Sequence, residues 1–202
     1  MSAPPPAPHV LPTGPADRFE LCLAHLLRTE GGFVNRVQDR GGATNLGISL
    51  RFLVEHAADP LIHRVIGHNR PPSTADIEGL DREGAAMLYR HFFWDANLCG
   101  AMPAPLDGAV FDQAVNGGGA KLLQRTLNLF YHRALDETGK IGGKTLALLT
   151  RAVADPGVGV ERLLTSFRTL AENHYRDIVR RDKTQAIFLS GWVSRARGLG
   201  NV

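Results

Sequence analysis

The chain has 202 residues, 44% of them hydrophobic and 21% charged, with a formal net charge of +3. That length is ample for one real core or two small ones, and no apolar run approaches the ~18 residues of a membrane span. The mild basicity suits an anionic partner such as nucleic acid, membrane surface or cell wall, or is ordinary surface charge. Aromatic residues do not interleave with the basic ones, so neither nucleic-acid binding nor stable membrane insertion is expected.

Residues 1–16 are Pro-rich and read as a disordered tail. They have no basic start and no apolar stretch, so no conventional signal peptide is expected there. Asp17 then suits a helix N-cap, with Glu20 completing a capping box. Phe19, Leu23, Leu26 and Leu27 recur at helical spacing up to about Glu30, where Gly31 and Gly32 stop the helix. Between the glycine pairs, Phe33 to Val37 gives the one weak strand signal and predicts a small hairpin. Ser49 suits the N-cap of a second helix through Phe52, Leu53 and His56, which breaks at Asp59-Pro60. Leu61 to Ile66 form a short helical turn, residues 68–74 a loop, and Asp81 caps a helix through Leu88, Tyr89 and Phe93.

The loop from Cys99 to Pro105 is a candidate segment boundary. Helices are then predicted over about Leu106 to Asn116, ended by Gly117 to Gly119, and over Ala120 to Tyr131 and Thr145 to Val153. The longest covers residues 158–182, and a last short one covers about Gln185 to Arg197. The fold class is therefore all-α with a small hairpin near the start. Cys22 and Cys99 fit no metal spacing and are expected to be free, mostly buried thiols rather than a disulfide. The irregular spacing of His56, His63 and His68 gives no zinc motif either. No metal or cofactor is expected.

The chemistry gathers in R-T-E-G-G-F-V-N-R-V-Q-D-R-G-G-A-T-N-L-G-I-S, residues 28–49. Glu30 falls at a helix end, where the dipole disfavours a carboxylate. Burial and that position both raise a carboxyl pKa, as a general acid for glycosidic cleavage requires. Asp39 would be the second carboxylate, stabilising positive charge or activating water, and the Thr44 hydroxyl could hold that water. The plainer alternative is a surface Glu30 and an Asp39 that only forms a turn beside Gly41 and Gly42. Asp112 and Asn116, four apart on one helix face, could bind N-acetyl or hydroxyl groups, or be a structural acid and a helix C-cap. Trp94 and Trp192 could stack on sugar, although a core position fits both better.

These segments resemble glycoside hydrolase family 108, the N-acetylmuramidases of phage endolysins and secretion-activating proteins. T-E-G-G-F-V-N followed by D-R-G-G-A-T-N-L-G-I-S is similar to its signature, which puts the catalytic acid on Glu30 and the later Asp and Thr on Asp39 and Thr44. Arg36-Val37, Arg40 and Ala43 depart from the family pattern without touching those three positions. F-D-Q-A-V-N-G-G at 111–118 and F-L-S-G-W-V-S-R at 188–195 also match family segments, and the resemblance covers about residues 17–198.

The resemblance implies a lysozyme-like fold. Residues 1–16 would be a tail, 17–105 the catalytic segment, and 106–202 a helical segment resembling a peptidoglycan-binding domain, packed with it as one globule. It implies cleavage of the β-1,4 bond between N-acetylmuramic acid and N-acetylglucosamine. Glu30, Asp39 and Thr44 would be catalytic, with Asn45, Asp112, Asn116 and Trp94 on the substrate. A lytic transglycosylase or a non-catalytic wall-binding accessory are the rivals. The expected partner is the peptidoglycan glycan strand, with a holin or export machinery. The protein is expected to be a monomer, made in the cytoplasm and acting in the periplasm or wall after holin-dependent or dedicated export.

Overall fold

The computed structural model describes residues 17–29, 42–132 and 134–202. Helix α1 spans Arg18–Thr29, and a two-strand antiparallel hairpin follows as β1 (Thr44–Asn45) and β2 (Ile48–Ser49). Four short helices come next: α2 (Leu50–Glu55), α3 (Pro60–Ile66), α4 (Thr74–Glu78) and α5 (Arg82–Tyr89). A π-helical turn, Arg90–Asp95, and a 3-10 turn, Cys99–Ala101, lead to α6 (Leu106–Val115). The chain ends with α7 (Gly119–Phe130), α8 (Gly143–Ala154), α9 (Gly159–Arg181), a 3-10 turn at Lys183–Phe188, and α10 (Leu189–Gly198). The expected mainly helical fold is what is found.

Local chemistry sets most of these boundaries. The Ser49 hydroxyl accepts from the Phe52 N–H at 3.1 Å, and the Asp81 carboxylate accepts from the Gly84 N–H at 2.8 Å, so both residues cap as expected. Asp59 accepts from the Leu61 N–H at 2.9 Å, with Pro60 as the first helical residue, where a missing N–H costs nothing. Asp17 also caps, accepting from the Phe19 N–H at 3.1 Å. Glu20 pairs with Arg82 at 3.4 Å. The hairpin foreseen at Phe33 to Val37 lies outside the described residues; the one observed is at Thr44–Ser49.

Helix α6 is the axis of the molecule. Leu106, Asp107, Gly108, Ala109, Val110, Phe111 and Gln113 are all buried, so it is enclosed on every side. It packs against α1, α7 and α9, and so touches the helices on both sides of the loop at 99–105. Phe111 forms a triangle of edge-on rings with Phe19 (5.8 Å) and Trp94 (5.5 Å), while Phe19 and Trp94 meet at 5.6 Å. Each such pair contributes about 0.5–1.5 kcal/mol beyond its buried area.

The turn into α7 depends on glycine. Gly117 and Gly118 have φ of 91° and 112°, which side-chain-bearing residues rarely adopt. At Gly119 a Cβ would sit 2.3 Å from the Val110 carbonyl oxygen and 2.8 Å from the Ala114 nitrogen, both backbone atoms. Gly119→Ala must therefore force α6 and α7 apart. It is expected to cost about 1–3 kcal/mol as overpacking, and a thermal melt matching the wild type would contradict this close crossing.

Cys22 and Cys99 are buried free thiols. Burial, and secondarily the Asp107 carboxylate, push the Cys22 thiol up to about 11 and Cys99 higher still. Neither is a thiolate at neutral pH, so both should resist iodoacetamide in the folded protein and react only on unfolding. Rapid labelling of the native protein, read by mass spectrometry, would contradict this burial.

Candidate active site

Glu30 and Asp39 lie outside the described residues, as do Gly31 and Gly32. Glu30 follows α1 directly in sequence, and Asp39 precedes Thr44 by five positions.

Thr44 sits on the hairpin, which is fastened on three sides. The Leu50 N–H donates to the Ala43 carbonyl at 2.8 Å, closing the hairpin onto α2. The Asn45 side-chain amide donates to the Ile77 carbonyl at 3.1 Å and to the Leu80 carbonyl at 3.0 Å, tying β1 to α4 and the residue beyond it. The hydroxyl of fully buried Tyr89 donates to the Leu46 carbonyl at 2.9 Å. That last bond matters because Leu46 and Gly47 form the two-residue turn with φ of 49° and 77°. A left-handed conformation is uncommon for leucine, and the Tyr89 bond helps hold it. Among the described residues the Thr44 hydroxyl makes one long bond, donating to the Gly42 carbonyl at 3.4 Å, and its lone pairs can accept from a water or substrate.

Asn45, expected on the substrate, is thus a staple whose NH2 group is spent on two carbonyls. Asn45→Ala would leave both carbonyls without that donor, and each lost bond costs about 0.5–1.5 kcal/mol. It is expected to lower the melting temperature and to reduce turnover more than wall binding. Loss of binding with unchanged stability would instead favour a direct substrate contact.

The second group lies at the end of α6. Arg195 of α10 donates from Nε to the Asp112 carboxylate at 2.8 Å, across 83 positions of sequence, and both side chains are mostly buried. Next to Asp112, Gln113 accepts from the Tyr175 hydroxyl at 3.3 Å. The Tyr175 ring stacks on Trp192 at 5.4 Å, which stacks on half-exposed Phe188 at 5.7 Å. Asn116 donates to the Asp112 backbone carbonyl at 2.9 Å and closes the helix as its C-cap. The two segments singled out at 111–118 and 188–195 therefore meet in space.

They form one wall of a cleft of about 430 Å³ lined by His25 of α1, Asp112 of α6, and Gly191, Trp192, Ser194, Arg195 and Gly198 of α10. Tyr89 ties this region to the hairpin. Its ring packs edge-on to Phe111, beside Asp112, at 6.2 Å, while its hydroxyl holds Leu46, beside Asn45.

Trp94 is a core residue. It is 4% exposed inside the Phe19–Phe111 triangle, so it offers no face to a sugar. Trp192 was foreseen as a possible stacking residue, whereas His25, Arg195 and Tyr89 are site residues that spacing did not bring forward. The resemblance segment at 188–195 was the one signal for Arg195.

The described residues form a mainly α fold with a hairpin-borne hydroxyl and a polar cleft. A family model described as "Glycosyl hydrolase 108" matches residues 23–118, and one described as "Predicted Peptidoglycan domain" matches residues 118–197. Solved structures also match. One, titled "Structure of Brucella abortus SagA", is 25% identical and has a TM-score of 0.63 over 91% of this chain and 96% of that chain. No curated protein matches by sequence. Residues 23–118 are thus similar to glycoside hydrolase family 108 and residues 118–197 to a peptidoglycan domain, on a mainly α, lysozyme-like fold. The chain is a peptidoglycan hydrolase.

Proposed function

We propose that the protein is an N-acetylmuramidase, hydrolysing the β-1,4 bond between N-acetylmuramic acid and N-acetylglucosamine. Glu30 is the general acid, donating its proton to the leaving glycosidic oxygen. Asp39 stabilises the cationic sugar or takes a proton from the attacking water, and Thr44 positions that water or Asp39. The observation that supports this most is the Thr44 hydroxyl, held on a hairpin fastened by Leu50, Asn45 and Tyr89 and without a strong partner among the described residues.

In this reading the residues up to 105 supply the chemistry and those from 106 hold the wall, with Asp112 and Arg195 shared at the boundary. Asp112 presents its pair with Arg195 to the cleft, and Trp192 supplies an apolar edge there. The enzyme reaches the wall through a holin-type pore or a dedicated export route, and serves lysis or release of protein through the wall.

Purified protein on purified sacculi tests this reading. Soluble fragments and a falling turbidity are expected for the wild type. Co-sedimentation with sacculi at constant turbidity would instead assign a non-catalytic wall-binding role.

A further inference from the structure

A second groove, of about 430 Å³, runs between α7 and α9, well inside the segment matched by the peptidoglycan model. Leu122 and Leu170 give it an apolar floor, and Arg125, Arg180, Arg181, Asn173, His174 and Asp177 make up its walls. It lies on the flank of α9 opposite Glu172, which pairs with Arg197 of α10. It is therefore separate from the Asp112–Arg195 cleft.

Its charge is unbalanced. Glu137 pairs with Arg125 at 2.7 Å, and Asp177 pairs with Arg180. Arg181 donates from Nε only to the Asp177 backbone carbonyl, at 3.2 Å, and no carboxylate pairs with it among the described residues. Three guanidiniums thus face two carboxylates. Burial, and then the Arg181 and Arg125 charges, hold His174 below the ordinary imidazole range, so the field inside the groove is cationic.

We propose that this groove binds the acidic stem peptide of peptidoglycan, with Arg181 and Arg180 taking its carboxylates. Guanidinium forks match carboxylates in bidentate geometry, and such charge-assisted bonds are about twice as strong as neutral ones. Leu122 and Leu170 suit the methyl groups of alanine residues, and Asn173 suits a peptide amide. A phosphate polymer is less well served. The groove is short and has no Phe, Tyr or Trp among its lining residues, on which the bases of a nucleic acid would stack. The inference rests on peptidoglycan being the substrate. It adds that the protein reads the peptide as well as the glycan, at a site away from the bond that is cut.

The test titrates the full chain with the stem tripeptide L-Ala-γ-D-Glu-diaminopimelate, with the same peptide amidated at its carboxylates, and with a short polyphosphate. The tripeptide should bind, its affinity should fall with added salt, and the His174 imidazole pKa, followed by NMR, should rise as carboxylates enter. Arg181→Ala should weaken binding about tenfold, and Arg181→Lys should restore part of it. Equal binding of the amidated peptide, tighter binding of polyphosphate, or an unchanged affinity in a folded Arg181→Ala protein would each overturn the proposal. Peptide-free glycan strands separate this from the enzymatic reading. The paired substitution Arg180→Ala with Arg181→Ala should leave their hydrolysis unchanged, whereas a wild type that cuts no glycan while still binding the tripeptide would defeat the hydrolase mechanism and leave the groove standing.

Discussion

Glu30→Gln is expected to abolish clearing of peptidoglycan while leaving the thermal melt within about 1 kcal/mol of the wild type. The amide keeps the shape and most hydrogen bonds of the acid but has no proton to give. The leaving sugar oxygen would then depart as an alkoxide, which forfeits the ~10²–10⁴-fold contribution of general acid catalysis. Asp39→Asn should also be severe, because an oxocarbenium-like transition state needs the opposing charge. Thr44→Ala should be milder, with Thr44→Ser close to the wild type, since a water-positioning role needs only the hydroxyl. A Glu30→Gln protein that still clears walls at the wild-type rate would remove Glu30 from the mechanism.

Arg18→Ala is expected to give the largest loss of stability. Arg18 donates from Nε and Nη2 to the two Asp107 oxygens, both at 2.8 Å. Its Nη1 also reaches the backbone carbonyl of Val202 at 3.4 Å, so one side chain joins α1, α6 and the chain end. The Asp107 side chain is 4% exposed and Arg18 33%. Removing the guanidinium leaves a carboxylate in the interior with, among the described residues, the Gly108 N–H at 2.6 Å as its remaining donor at the start of α6.

Breaking a buried pair on one side costs about 3–5 kcal/mol. The partial exposure of Arg18 and the favourable helix N-terminus put the value near the low end, about 3 kcal/mol. In a chain of this size that lowers the melting temperature by roughly 6–12 °C. Joint replacement, Arg18→Met with Asp107→Leu, should recover most of it, because removing both charges removes the desolvation penalty as well. A single Arg18→Ala variant as stable as the wild type would show that the pair contributes nothing net.

The helices were legible because their ends carry local chemistry. Ser49, Asp59-Pro60 and Asp81 each cap the helix they precede, and the apolar spacing of Leu163, Phe167, Ala171 and Tyr175 marks the buried stripe of α9. The hairpin at Thr44–Ser49 was not announced by the sequence. Its strands are two residues each, too short to alternate, and its turn is Leu46-Gly47 rather than the Asn-Gly that usually announces one. The last short helix, expected over about 185–197, starts later because Asp182 takes the Thr184 N–H at 3.0 Å and a 3-10 turn comes first.

Thr44 could be singled out from the motif, but the fastening of its hairpin could not. Asn45, Tyr89 and the carbonyls they bind are 32 to 43 positions apart. Arg195 and Asp112 are farther still, and only the fold brings them together. Trp94 shows the opposite failure. A tryptophan beside a suspected glycan site invites a stacking role, yet its ring is needed to fill the space between Phe19 and Phe111.

The central claim is hydrolysis of the muramyl bond with Glu30 as acid, and the masses of the muropeptides released from purified peptidoglycan test it most directly. The wild type should leave N-acetylmuramic acid at the reducing end with a full water added, and Glu30→Gln should release nothing above background. Products ending in 1,6-anhydro-muramic acid, lighter by that water, would contradict the account and make the enzyme a lytic transglycosylase.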